Sequence, residues 1–524
     1  MGRRLAGLVG LCVSLSVAPV TAQLAPLGAP SGVLRIDIRG SFESADSRFA
    51  GSGTEDYLAD FGGNIFGGNR IPLLHAADTL LAGALGQPGY GMSLGAMKAR
   101  GQLTVGTGTI GAALGLTRKL TVFANVPLVT TRVQANFQFD STTGDAGFNP
   151  AHPTFGTSAG QQLATSFFQD FTLALVQLNQ RIQQGFGGNT SDSLDAVALL
   201  REGQALQGQL QAVTSDVLTA SPFLPTATSA AGQALVQRVS AYQTGLSGYG
   251  VSFTGTPVLA VGRLDGADVT AFLVDPAGPI QALPLAEAKL SRAGDMDAGA
   301  IYTLIDRFDR PGTTGGMRLA VQALVRFPTG LRDNPNNLLD VGTGNGRYEV
   351  GASGTLDVGS RKWGLRVSGG YLARLEGFRV RRVSAASAPY AEFGRLANVR
   401  LNAGDVVSLE ARPFYRLARN LALTGVASWW RSGKDQAQYD RARDSLPGIP
   451  ASVLGSSEGA TALMLGGGLS YVGRAAHECE DGRRCGFPIE ASWHYGTVVS
   501  ASGAPVPRYR ATRLEIRWYQ RLWR

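Results

Sequence analysis

The sequence contains few histidines, the side chain used most often in acid–base catalysis. Among its 524 residues are four histidines, at positions 75, 152, 477 and 494, and only His494 lies in a segment of clear strand character. A membrane-embedded phospholipase needs a His-x-Ser pair on one strand face, but Tyr495 and Gly496 follow His494. No acidic pair with a histidine can be assembled at the strand ends either. We therefore expect no enzyme activity and interpret His494 as a polar residue that faces the interior of the fold.

Two cysteines lie close together near the C-terminus, outside any regular pattern. Cys479 and Cys485 are spaced C-x5-C in the polar stretch HECEDGRRCGF. In an exported chain such a pair predicts a local disulfide. A metal site with His477 and Glu480 is the alternative, although two thiols and one histidine make a small ligand set. The glycine-rich runs 106–111 and 342–347 lack the Gly-Lys-Ser/Thr ending of a phosphate loop, so we expect no cofactor.

The N-terminus has the features of a signal peptide. Arg3 and Arg4 precede an apolar run from Leu5 to Val20, and cleavage after Ala22 fits the small residues there. No later window is long and apolar enough for a transmembrane helix. The chain carries a formal charge of +9, but its basic residues alternate with acids and do not cluster with aromatic residues. Nucleic-acid binding is therefore not expected, and the exported chain is a secreted protein, a periplasmic protein or a membrane β-barrel.

Apolar and polar residues alternate with period two along much of the chain, which predicts β-strands. Several segments are about 11–16 residues long, whereas strands of a soluble sandwich are nearer 5–6, and aromatic residues lie near their ends. A soluble secreted β-protein is the alternative. The sequence therefore predicts an all-β fold, an antiparallel transmembrane β-barrel of about twelve strands. The strands are expected at 33–43, 98–116, 119–138, 290–306, 316–328, 346–358, 361–375, 406–418, 421–431, 458–473, 487–499 and 509–523.

In such a barrel the polar face of each strand points into the lumen. The predicted lumen-lining residues are Arg318, Arg326, Glu349, Arg366, Arg374, Glu410, Arg412, Arg416, Glu490, His494, Arg513, Glu515, Arg517 and Arg521. Arginines outnumber glutamates in this set, so we expect a basic interior. In a low dielectric these charges should pair into ladders. A filled lumen would be rigid and closed, whereas a hydrated lumen would favour anions.

The connections divide the chain into four parts. These are the signal peptide 1–22, strands one to three with the long loop 44–97 in residues 23–138, the connection 139–289, and strands four to twelve in residues 290–524. Within the connection, residues 158–245 show helical spacing, as in Phe167, Phe171, Leu175 and Leu178. We expect two or three helices there. They could form a cap that packs on itself, a hatch that enters the lumen or gates its mouth, or a docking module for a partner.

Several segments resemble a known barrel family. They are GAALGLTRKLTVFANVPLV (111–129), GDMDAGAIYTLID (294–306), MRLAVQALVRFPTG (317–330), LLDVGTGNGRYEVGASGTLDVG (338–359) and KWGLRVSGGYL (362–372). In this order they resemble the outer-membrane transporter barrels associated with the meta-pathway of phenol degradation, a family grouped loosely with the long-chain fatty acid transporters. The resemblance covers about 94–375 and carries over no substrate-binding residue.

The resemblance implies a passive transporter in the outer membrane of a Gram-negative-type bacterium. We therefore expect uptake of small solutes, hydrophobic ones among them. The expected partners are outer-membrane lipid and lipopolysaccharide, the barrel assembly machinery and the small-molecule solute. The alternative is a surface-display barrel, in which the long loops and the helical insert mediate adhesion or partner binding.

Overall fold

Twelve antiparallel strands form a closed barrel. The computed structural model describes residues 27–51, 53–185, 190–282, 285–308, 316–360, 362–418, 421–472 and 489–523. The barrel strands are β1 (Val33–Ala45), β2 (Ser93–Gly115), β3 (Leu120–Asp140), β4 (Met296–Asp306), β5 (Gly316–Phe327), β6 (Glu349–Gly359), β7 (Trp363–Arg374), β8 (Val406–Arg416), β9 (Leu421–Ser432), β10 (Ala460–Val472), β11 (Ile489–Gly503) and β12 (Arg510–Arg521). Each strand pairs with its neighbours in the chain, and β1 pairs with β12 from Val33↔Arg521 to Ser44↔Arg510. The predicted fold class is thus confirmed.

Side chains alternate between an apolar outer face and a polar inner face. On the outer face, apolar side chains such as Ile38, Leu128 and Leu409 are at least half exposed. Arg35, Asp37 and Arg517 are examples of charged side chains that are buried on the inside. A closed sheet with an apolar belt is the form in which β-structure crosses a bilayer, because no strand edge is left without partners. The protein is therefore a barrel of the outer membrane.

The two ends of the barrel differ. Tight connections join β2 to β3, β6 to β7 and β8 to β9 at the end where β1 begins and β12 ends; we call it the short-turn end. The opposite, long-loop end carries the small strands Ser47–Ala50, Gly53–Asp56, Gly63–Gly67, Ala146–Phe148, Phe223–Pro225, Gly377–Arg382, Leu396–Asn402, Gln436–Tyr439 and Val506–Pro507. In barrels of this kind the short turns face the periplasm and the long loops face outside.

The helices lie together in a cap at the long-loop end. They are α1 (His75–Leu85), α2 (Ser158–Gln184), α3 (Thr190–Thr214), α4 (Ala230–Ser247) and α5 (Gly266–Val274). The side chains of Thr157, Ser229 and Asp265 cap α2, α4 and α5 by accepting hydrogen bonds from backbone N–H groups. One hydrophobic core joins the helices to the long-loop end of the barrel. It includes Leu81 of α1, Phe171 of α2 and Trp430 of β9. None of the described helices is both long and apolar enough to cross a bilayer.

The structure adds detail that the alternation of residues did not give. Helices occupy the predicted stretch 158–245, while α1 and α5 were not predicted, because both are short. The predicted strand 290–306 is divided, since Glu287–Ala293 and β4 pair with β3 in registers that differ by one residue. By contrast, β2 and β3 pair without a shift from Ala96↔Asp140 to Gly115↔Thr121. The signal peptide 1–22, Cys479 and Cys485 lie outside the described residues.

Candidate functional site

A layer of ion pairs fills the barrel near its short-turn end. We call it the charged layer; its members are each at most 7% exposed. They are five arginines and five carboxylates, namely Arg35, Arg318, Arg366, Arg412, Arg517, Asp37, Asp357, Glu410, Glu490 and Glu515. Because long charged side chains of β1, β5 to β8, β11 and β12 are buried at this level, water has no wide path along the axis here.

Each arginine of the charged layer has a carboxylate within ion-pair distance. Arg366 donates to both oxygens of Asp357 at 2.5 and 2.7 Å, across the β6–β7 pair. The Arg412 to Glu410 distance is 2.6 Å and the Arg35 to Asp37 distance is 2.9 Å. Arg366 and Arg412 face each other directly across β7 and β8. Two like charges in that position would repel, so the acids that pair with them are required for the strands to close.

Arg517 is the centre of a second group in this layer. Its guanidinium lies 3.1 Å from Glu515 and 3.6 Å from both Asp37 and Glu490. The side chain is 1% exposed. Three strands, β1, β11 and β12, are thus joined by one cation, and removal of that cation would leave buried carboxylates uncompensated.

The segment before β1 closes the short-turn end further. Leu27 is buried against Ile301 on the inner face of β4. Ala29 N donates to Thr121 Oγ1 at 2.9 Å, and Arg35 Nη1 donates to the carbonyl of Leu27 at 2.6 Å. These contacts hold residues 27–30 inside the barrel, beside the charged layer.

Above the charged layer the barrel contains a cavity of about 200 Å³, which we call the lumen cavity. Aliphatic and hydroxyl side chains of β2 and β3 form one side of it, including Val105, Thr107 and Val129. His494 and Arg513 of β11 and β12 also line it, together with charged residues such as Arg39, Asp295 and Arg326. The cavity is therefore amphipathic, with aliphatic and hydroxyl side chains beside charged ones.

The wall of the lumen cavity is irregular where β3 meets β4. Pro127 has no N–H to give to the ladder, and the register slips by one residue opposite it, between Ala293 and Asp297. Gly294 N donates to the carbonyl of Pro127 at 2.8 Å, while Asp295 lines the cavity. A bulge of this kind redirects a side chain and weakens the ladder locally. We call this place the β3–β4 seam.

The redirected Asp295 holds a loop inside the barrel. Its carboxylate accepts N–H bonds from Gly330 at 2.9 Å and from Asn345 at 2.6 Å. Gly330 precedes the inner loop, residues 331–345, and Asn345 is its last residue. The loop also bonds to itself, from Thr343 N to the Leu331 carbonyl at 2.8 Å. The inner loop forms the roof of the lumen cavity.

A second cavity, the outer pocket, lies on the other side of the inner loop. Its volume is about 160 Å³, and Val341, Gly344 and Asn345 line both cavities. Tyr57, Leu58 and other apolar residues form much of its wall, and four arginines contribute to the rest. Two cavities in series, separated by one loop, thus lead from the long-loop end to the β3–β4 seam.

Most of the fourteen lumen residues named from the sequence have buried side chains on the inner face of the barrel. Arg416 and Arg513 are half-buried, and Arg521 is exposed at the end of β12 although it is in phase with Arg517. The structure brings several of the others into pairs, as with Arg326 and Glu349 at 2.9 Å. The disulfide pair lies outside the described residues.

The sequence reasoning missed acids that change the charge of the interior. Asp37, Asp297 and Asp357 are inner-face residues that pair with arginines. The expectation of a basic interior is therefore wrong for the charged layer, in which the charges balance. The alternation of Arg35, Asp37 and Arg39 in β1 was the signal that could have shown this.

The cap helices do not enter the lumen cavity, because none of the described residues that line it belongs to α1–α5. This excludes a hatch inside the lumen cavity, whereas gating of its mouth and docking of a partner stay predictions. In the cap, burial raises the pKa of the Asp78 and Asp145 carboxyls. Asp78 accepts a hydrogen bond from Met92 N and Asp145 accepts one from Ser93 N, both at 2.8 Å.

Comparisons with known proteins give weak structural similarity. The chain matches no protein-family model and no curated protein sequence. An outer-membrane channel from Pseudomonas putida F1 is 9% identical with a TM-score of 0.43, and the match covers 96% of this chain and 100% of that one. A mutant of the monoaromatic hydrocarbon channel TodX is 11% identical (TM-score 0.27, coverage 95% and 91%). The transport unit of an autotransporter from Escherichia coli is 6% identical (TM-score 0.30, coverage 94% and 93%). Similarity at this level assigns neither a solute nor a mechanism.

Proposed function

We propose that this protein is a passive channel for small hydrophobic solutes across the outer membrane. The observation that carries the proposal is the series of two amphipathic cavities above a closed charged layer. A hydrophilic pore would need an open axial path, which the charged layer does not offer. A hydrophobic solute needs only a sheltered route past the polar surface of the membrane.

The route begins in the outer pocket and passes the inner loop into the lumen cavity. From there the solute leaves sideways through the β3–β4 seam into the membrane. Val126 and Leu128 flank Pro127 on the outer, apolar face of β3, so a solute that passes the seam arrives among lipid chains. Movement of the inner loop, held by Asp295, controls passage between the two cavities.

Uptake by whole cells tests the proposal. Radiolabelled toluene uptake is measured in a Gram-negative host with an intact lipopolysaccharide layer, with and without the expressed protein. Val129→Trp fills the lumen cavity, and we expect uptake to fall to the level of cells without the protein. Leu128→Trp is the matched control, because the neighbouring side chain faces outward, and we expect normal uptake.

Equal uptake by the Val129→Trp variant and the wild type would contradict the route. No increase on expression of a folded, inserted barrel would contradict the channel function and favour the surface-display alternative. In planar bilayers the same protein should show small conductance or none, with weak preference between anions and cations, because the charged layer is closed and balanced.

A further inference from the structure

The outer pocket combines an apolar wall with an excess of guanidinium groups. Leu58, Phe61 and Leu338 contribute to its apolar side. Arg48, Arg379, Arg381 and Arg382 also line it, whereas Asp333 and Asp340 are the carboxylates among its described lining residues. The arginines differ in how far their charges are compensated, and this difference indicates what the pocket binds.

Two of the four arginines are held by groups of the surrounding loops, although the Nε of Arg382 has no hydrogen-bond partner among the described residues. Arg48 pairs with Glu55 at 2.6 Å and with Asp60 at 2.9 Å. Arg382 donates to the backbone carbonyls of Ile280 and Ala391 at 2.5 and 3.0 Å. These two side chains hold the surrounding loops together.

The other two arginines share a single acid. Arg379 lies 3.3 Å from Asp333 and also donates to the backbone carbonyl of Asn345, and Arg381 pairs with the same Asp333 carboxylate. The buried Nε of Arg381 has no hydrogen-bond partner among the described residues. Burial and the neighbouring Arg381 charge lower the pKa of Arg379 to about 10. The second carboxylate, Asp340, is occupied by the backbone N–H groups of Asn334 and Gly342. An additional anion would therefore be stabilised beside Arg379 and Arg381.

We propose that the outer pocket is a binding site for small aromatic monocarboxylates. The carboxylate lies against Arg379 and Arg381, whose planar guanidinium groups suit bidentate pairing, and the ring packs against Leu58 and Leu338. The size fits, because an apolar cavity of about 150 Å³ accepts one benzene molecule. The proposal deepens the channel function and rests on it for the arrival of solute at this pocket.

Asp333 gives the site a distinctive property. It occupies the two guanidinium groups when the pocket holds no ligand, so a bound carboxylate must compete with it or share them. Removal of the Asp333 charge should therefore strengthen the binding of an anion, an effect that misfolding cannot produce.

Calorimetry on the refolded protein in detergent micelles at neutral pH tests the site, with benzoate as the probe and benzyl alcohol as its uncharged counterpart. We expect benzoate to bind at least about tenfold more tightly than benzyl alcohol. Arg381→Gln should remove that preference, and Asp333→Asn should increase benzoate affinity. Arg400→Gln is the matched control, because Arg400 lies on the adjacent strand, outside the pocket lining, and pairs with Asp440 at 2.8 Å.

Equal binding of the two probes, or weaker benzoate binding by Asp333→Asn, would overturn the site. The result is separable from the channel test, since calorimetry measures binding without transport. Benzoate binding without toluene uptake would contradict the channel function and its link to the site. Toluene uptake without a preference for benzoate would contradict the binding site and support the channel function.

Discussion

Replacement of Arg517 by methionine should destabilise the barrel strongly. Methionine keeps much of the volume and loses the charge that lies 3.1 Å from Glu515 and 3.6 Å from Asp37 and Glu490. Asp37 retains Arg35 at 2.9 Å. Among the ion pairs of the described residues, no other arginine lies within 4 Å of Glu490 or Glu515. Arg39, opposite Glu515 in the β1–β12 pair, compensates that carboxylate only from a longer distance. Loss of one partner of a buried pair costs about 3–5 kcal/mol, and we expect the free energy of unfolding to fall by about that amount.

Urea unfolding of the refolded protein in lipid vesicles, followed by tryptophan fluorescence, measures this change. Arg521→Met is the matched control, because Arg521 lies on the same strand in the same phase but is exposed; we expect a change within about 0.5 kcal/mol. The triple variant Arg517→Met, Glu490→Gln, Glu515→Gln should recover most of the loss, since the unpaired charges are gone. An Arg517→Met variant as stable as the control, or a triple variant as unstable as the single one, would refute the assigned role of Arg517.

Three further predictions follow from the cavities, the cap and the N-terminal segment. Asp295→Ala removes the acceptor of two N–H bonds that hold the inner loop, so toluene uptake should rise, whereas Asp46→Ala in an outer loop should leave it unchanged. Deletion of 27–30 should produce measurable single-channel conductance where the wild type shows little; unchanged traces would contradict a closing role for this segment. In the cap, burial raises the pKa of Asp78, so the folded state holds its proton more tightly than the unfolded chain. The stability contribution is therefore present at acid pH and lost as pH rises through the folded pKa. The melting temperature is followed by circular dichroism at 222 nm, to which the cap helices contribute most. With rising pH it should fall less steeply for Asp78→Asn than for the wild type, and an equal pH dependence of the two would contradict this.

The strands and their faces were predictable because the bilayer imposes a simple rule on them. Outward side chains must be apolar over the whole span, so alternation in segments such as Met317–Phe327 is strong and long. The helices α2–α4 were predictable for a similar reason, since one face of each contacts the hydrophobic core. These patterns are local and can be read without knowledge of the fold.

The functional features depend on contacts between distant parts of the chain. The outer pocket depends on contact between Arg381 and Asp333. The inner loop depends on contact between Asn345, in the connection between β5 and β6, and Asp295, which precedes β4. The β3–β4 seam arises from Pro127 opposite Gly294, which lie on either side of the helical insert. No periodicity records such pairings. The balance of the charged layer was missed because the expected lumen residues left out Asp37 and Asp357, although both lie in phase with the polar faces of their strands; which arginine each acid meets depends on the strand register.

The position of the cap has a consequence for how the protein is made. Four of the five described helices belong to the connection between β3 and β4, at the end opposite to the one where β1 begins and β12 ends. Each helix is about 10–12 Å wide with its side chains, so a folded bundle of them is too wide for a barrel of twelve strands filled by ion pairs. A folded cap therefore cannot pass through the closed barrel. The connection must cross the membrane either before β1 and β12 join or as an unfolded chain, so the order of barrel closure and cap folding is constrained during biogenesis.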